Sequence, residues 1–175
     1  LLAFFFYIDG VYTIIDMATA YGTSLGLNTT GLLLALLLTQ IVAFPASLTF
    51  AVLSKTKNTA SLIKVAIIAY FLIALFAVQL DKQWEFWVLA VAVGCFQGGI
   101  QALSRSYFAK IIPENASGEY FGLFDICGKG ASFLGTMLIG VVTQITGKQN
   151  LGVAALSIMF VVGYFIFNKV SKMDD

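Results

Sequence analysis

Histidine is absent from this 175-residue chain, and proline and cysteine occur twice each. Without an imidazole there is no His-ligated metal, no Ser-His-Asp or Cys-His catalytic set and no rhomboid-type dyad. Cys95 and Cys127 fall inside apolar runs, lack metal-ligand spacing and read as small buried residues. No metal and no cofactor is expected. Charge is scarce as well: charged residues make up 11% of the chain, against about a quarter in a soluble domain. A net charge of +1 offers no basic face to nucleic acid. Hydrocarbon fills the chain instead, with 59% hydrophobic residues and a mean hydropathy of +0.92. The class this implies is an all-α integral membrane protein whose solvent is the lipid bilayer.

Six apolar runs, each long enough to cross a bilayer, lie at about 1–21, 31–53, 62–80, 86–108, 120–145 and 151–168. Short polar links join them, and residues 171–175 form a polar tail. Period-two segments of about ten residues, the mark of a membrane barrel, are missing. The first run carries Asp9 and Asp16 and has no basic leader, which argues against a signal peptide. It reads instead as a transmembrane helix whose upstream sequence is cut away. Pro45 removes one ladder hydrogen bond within the second run and predicts a kink there. Gly94 and Gly98 in the fourth run are a small-xxx-small pair that admits a neighbouring backbone.

The polar residues inside these runs are the clue to function. In the fifth run Asp125, Lys129, Ser132, Thr136 and Thr143 sit at offsets of 4, 7, 11 and 18. At roughly 100° per residue they fall within an arc of about 60°, one polar stripe along one continuous helix. Asp9, Thr13 and Asp16 form a second stripe, Gln97, Gln101 and Ser104 a third, and Gln40 and Ser47 share a face of the second run. Ionisable groups in hydrocarbon cost on the order of 2.5 to 3.5 kcal/mol each, so they face a bundle interior or a water-filled cavity. The third and sixth runs are nearly bare. Lys129 is expected to pair with Asp9 across helices, which would satisfy two buried charges at once; the local alternative is Asp125, four residues earlier on its own helix. Lysine and arginine divide seven to two between the two faces of the membrane, which puts both termini in the cytoplasm.

The segments 9–22 (DGVYTIIDMATAYG), 101–113 (QALSRSYFAKIIP) and 121–130 (FGLFDICGKG) resemble the second half of the vacuole effluxer family. That family lies in the major facilitator superfamily and is related to autophagy-linked vacuolar amino-acid exporters. The resemblance covers nearly the whole chain but only helices seven to twelve of twelve. It implies a six-helix half of that fold, built as a 3+3 inverted repeat, with helices seven, eight, ten and eleven lining the cavity and nine and twelve outside. It implies a plasma-membrane secondary transporter of a bacterium or archaeon, exporting a small solute such as an amino acid, with possible proton coupling. The partner would be the N-terminal six-helix half. Asp9, Thr13, Asp16, Gln40, Gln97, Gln101, Asp125, Lys129, Ser132 and Thr136 are the expected substrate or proton pathway, with Arg105 and Pro113 in a cytoplasmic loop. Two positions depart from the family pattern. Asp16 stands where an apolar or aromatic residue is usual, and Thr136 where Pro often follows Leu-Gly, which implies a straighter helix eleven. Two other classes fit the same residues less well: a complete six-helix homodimeric carrier or channel, and an intramembrane aspartyl protease using Asp9 and Asp125, for which the expected Gly-Xaa-Gly-Asp sequence is absent. The chain is therefore read as a transporter and not an enzyme.

Overall fold

The computed structural model describes residues 1–173. Helices α1 (Leu2–Ser24), α2 (Thr29–Leu53), α3 (Thr59–Val78) and α4 (Gln83–Ile111) are followed by a short 3-10 turn at Glu114–Ala116. Helices α5 (Ser117–Lys129), α6 (Phe133–Thr146) and α7 (Gln149–Ser171) complete the chain. Taking α5 and α6 together, these are six segments long and apolar enough to span a membrane, and no strand occurs among the described residues. The polar tail predicted at 171–175 begins inside α7, and its last residues, Asp174 and Asp175, lie outside the described residues.

Polar side chains at the links set the helix starts. Asn28 Oδ1 accepts from Gly31 N at 3.1 Å and Asn58 Oδ1 from Ala60 N at 2.8 Å, so each satisfies an amide that the helix leaves orphaned. Glu85 does the same from inside α4, accepting from Asp81 N at 2.8 Å and Lys82 N at 3.1 Å. Gly147, at φ +69°, closes α6 in the left-handed conformation that glycine adopts without strain.

Close backbone approach holds the bundle together, as it must where lipid is as apolar as the side chains. Gly94 and Gly98 of α4 lie against α2 so tightly that a Cβ would come within 2.7 Å of the Thr39 carbonyl and 2.8 Å of Ser47 Cβ. Thr39 Oγ1 adds a hydrogen bond across the pair to the Ala90 carbonyl at 3.1 Å. Gly10 of α1 admits the Phe160 ring of α7, and Gly163 of α7 admits the Tyr7 backbone of α1. The packing follows part of the exchange pattern of an inverted repeat, the packing of the fifth span on the sixth having no equivalent between the second and the third among the described residues. The first span packs on the sixth as the fourth packs on the third, and the second packs on the fourth as the fifth packs on the first.

Two sequence expectations change here. The fifth span is not one continuous, straight helix: it breaks at residues 130–132, where Ser132 sits at φ +75°. Gly128, Gly130 and Ser132 give this stretch low helix propensity, and a carboxylate from α1 receives two of the amides that the break exposes. Arg105 does not lie in a loop, because α4 continues past it to Ile111. Pro45, by contrast, leaves α2 a single element.

Candidate functional site

The break in the fifth span creates a helix N-terminus inside the membrane. Four orphan amides would face hydrocarbon there, each needing an acceptor. Asp9 supplies it. Its Oδ1 accepts from Gly135 N at 2.7 Å and from Thr13 Oγ1 at 3.3 Å, and its Oδ2 accepts from Leu134 N at 3.1 Å. Asp9 and Thr13 are both fully buried. The carboxylate also meets the positive end of the α6 dipole, so its charge is answered without any lysine. Gly135 is part of the fit, since a Cβ there would lie 2.8 Å from Asp9 Oδ1 and collide with Thr13 Oγ1.

The predicted ion pairs of Lys129 therefore do not form. Lys129 is exposed, and no carboxylate among the described residues lies within ion-pairing distance of it. It borders an open recess of about 710 Å³ together with Phe5, Ser132 and Thr136. Asp125 turns to another helix: its Oδ1 lies 3.1 Å from Arg105 Nη2 on α4. Both side chains are substantially exposed, at 49% and 63%, so this pair contributes little to stability, about 0 to 1 kcal/mol, and opens easily. The guanidinium also sits 5.6 Å from the centre of the Phe124 ring.

That pair stands at one wall of an open cavity of about 430 Å³. Phe4, Ile8 and Tyr12 of α1 contribute to its lining, as do Ser47 of α2, Gln101 and Arg105 of α4, and Phe124, Asp125 and Gly128 of α5. No residue of α3 or α7 borders it. Phe124 is the keystone of the aromatic wall, stacked on Phe4 at 4.0 Å and on Phe108 at 4.9 Å between ring centres. The cavity offers one cation, one carboxylate, an amide and hydroxyls around aromatic surface. Such a lining has groups that can pair with both charges of a small polar solute.

The other predicted residues are scattered. Gln101 and Asp125 share the cavity; Lys129, Ser132 and Thr136 share the recess. Asp16 is exposed on α1, and Gln40 is exposed beside a narrow gap of about 30 Å³ between α1, α2 and α4. Gln97 keeps its Oε1 buried with no partner among the described residues. Ser104 leaves the α4 stripe to pair with Tyr7 Oη at 2.7 Å in the core. Thr143 faces Gly152 of α7, so the fifth-span stripe ends before it. Pro113 caps the 3-10 turn and does not line the cavity. Tyr12 and Phe124 were missed because an aromatic in an apolar run carries no polar signal. Gly135 was missed because a glycine needed for a contact 126 positions away looks like any other.

A family model described as "Vacuole effluxer Atg22 like" matches residues 1–173. The chain belongs to that family. It is 46% identical over 166 residues to the "Uncharacterized MFS-type transporter YxiO" of Bacillus subtilis (strain 168), covering 95% of this chain and 39% of that relative. It is 34% identical over 95 residues to "Autophagy-related protein 22" of Eremothecium gossypii, 54% of this chain and 19% of that protein. The namesake protein of Cryptococcus neoformans var. neoformans serotype D (strain B-3501A) is 27% identical over 188 aligned residues, 98% of this chain and 34% of its own length. The chain thus spans well under half of the relatives it matches. Membership in this family makes it a multi-pass membrane protein of a transporter family.

Proposed function

We propose that this chain is the C-terminal half of an alternating-access secondary transporter that exports a small solute such as an amino acid. The observation that carries the reading is the Arg105–Asp125 pair, opposite charges held 3.1 Å apart at an open, aromatic-walled cavity. A zwitterion presents a carboxylate to the guanidinium and an ammonium to Asp125, replacing one weak pair by two. The opposing wall would come from the N-terminal six helices. The outward apolar residues of α2 and of α5–α6, such as Leu37, Phe44, Ile126 and Met137, then face lipid and that half. The setting is the plasma membrane of a bacterium or archaeon, with both termini in the cytoplasm and protons as the candidate coupling ion.

The test is uptake by proteoliposomes containing the full-length protein, against an amino-acid panel, with and without a pH gradient. Arg105→Ala and Asp125→Ala are each expected to reduce transport at least tenfold; full activity in the double variant would overturn the reading. Liposomes holding residues 1–175 alone are expected to be inactive, and transport by them would favour the homodimeric carrier. Orientation is checked by external cysteine labelling in a background lacking Cys95 and Cys127. Gln83→Cys and Gln149→Cys should react while Asn58→Cys and Asn115→Cys stay protected.

A further inference from the structure

We propose that Asp9 is a positioning residue that pins α6, so that α5 alone swings about residues 128–132 as a flap over the cavity; the inference rests on the transport reading above.

The two halves of the broken span are held in opposite ways. Helix α6 is anchored at its first turn by the Asp9 carboxylate, at Gly135 by contact with Thr13, and further along by the approach of Thr143 to Gly152 of α7. Helix α5 buries a single residue, Phe124. A Cβ added at Gly118, Gly122 or Gly128 would meet nothing within 4 Å, so these six spans leave most of its surface unpacked. Between the halves, Gly130 and Ala131 carry the last turn-type bonds, to the Ile126 carbonyl at 2.9 Å and the Gly128 carbonyl at 3.3 Å, and Ser132 takes the left-handed conformation. Glycine and a residue already outside the helical region are where a chain absorbs large dihedral changes at low cost.

Two contacts close the flap: the Phe124 stack on Phe4 and Phe108, and the exposed Arg105–Asp125 pair. Both involve residues that line the cavity, so a solute competing for Arg105 and Asp125 loosens the same clasp that holds α5 down. Asp9 cannot take part in that exchange. Both of its oxygens are engaged by α6 and the residue is fully buried, so it fixes the axis and touches no solute.

Spin-label distances measured on the full-length protein, without Cys95 and Cys127, test this independently of transport. One label pair is placed on α5 and α3 (Gly122→Cys with Val65→Cys), a second on α6 and α3 (Gly140→Cys with Leu72→Cys). Phe124→Ala is expected to shift the α5 distance by at least one helical turn, roughly 5 Å, and to leave the α6 distance unchanged. Asp9→Ala should broaden the α6 distribution, and Asp9→Asn, which keeps one acceptor oxygen, should restore it. Where Asp9→Ala yields no folded protein, the α6 width of Asp9→Asn decides alone. Joint movement of both pairs, an immobile α5 in Phe124→Ala, or an Asp9→Asn distribution as broad as that of Asp9→Ala overturns the proposal. Lost transport with the expected distances would fault the transport reading and leave the hinge standing.

Discussion

The second and fifth spans are each the middle member of a three-span unit in chain order, yet one is a continuous helix and the other is cut in two. Helix α2 contains Pro45, the residue most able to break a helix, and still runs from Thr29 to Leu53. The fifth span contains no proline within its helices and breaks at 130–132. What separates them is where support arrives. Helix α2 is held along its length by α4, through the contacts of Gly94 with Thr39, Gly98 with Ser47, and Gly99 with the Phe50 ring. The fifth span receives a buried carboxylate at one point, which makes a new N-terminus cheaper there than it would be anywhere else in the membrane. A helix yields where an acceptor waits for the freed amides, more than where its sequence is locally weakest.

The comparison is broken most severely at Asp9. Asp9→Ala leaves the amides of Leu134 and Gly135 without acceptors and is expected to cost about 3 kcal/mol, read as loss of unfolding free energy in detergent. Asp9→Asn should recover about half of it, and a cost below about 1 kcal/mol for the alanine would mean that α6 does not depend on this cap. Next in size is a pair of identical changes, one on the α4 face that clamps α2 and one on the open face of α5. Gly94→Ala forces a Cβ against the Thr39 backbone carbonyl, which has no rotamer to escape into, and should cost about 2 kcal/mol. Gly122→Ala on α5 meets open space and should stabilise by about 0.5 to 1 kcal/mol; equal signs for the two would erase the contrast between a clamped span and a loose one.

Ser132→Gly removes the left-handed penalty at the break and is expected to stabilise by about 0.5 to 1 kcal/mol, visible as a modest rise in Tm. A loss of stability instead would mean that the serine side chain supports the break. Smallest in stability is Arg105→Ala, within about 1 kcal/mol of the parent because the pair is solvent-exposed. A large destabilisation there would show that the cavity wall is structural and not a weak, exchangeable clasp.

The seven-to-two asymmetry of lysine and arginine, the six apolar runs and the Gly94–Gly98 pair were legible because each is a local property of the chain. Observed helix ends differ from the expected ones mainly by extension: α4 adds about a turn at its C-terminal end, and Arg105, assigned to the cytoplasmic loop although the apolar run already reached it, lies well inside the helix. The stripe on the fifth span was legible as a set of residues but not as a surface. Periodicity assumes an unbroken helix, and the break at 130–132 rotates Thr143 onto α7 while Asp125 and Lys129 stay on α5. Asp9 was legible as a buried charge needing a partner. The partner the sequence suggested, Lys129, is not the one it has: Asp9 meets peptide amides, which are present at every position and carry no signature in sequence.

The sequence by itself determined that this protein crosses the membrane as six helices. In hydrocarbon every span must satisfy its own backbone, so length and apolarity suffice to specify it. Only the tertiary structure decided where that rule could be suspended. Asp9 meets Leu134 and Gly135 from 125 and 126 positions away, and the free energy of the break depends on that meeting as well as on the glycines and Ser132 at the break. The same packing brings Arg105, on one span, to Asp125 on another, and so turns two charges that read as a loop residue and a local pair into one wall of the cavity.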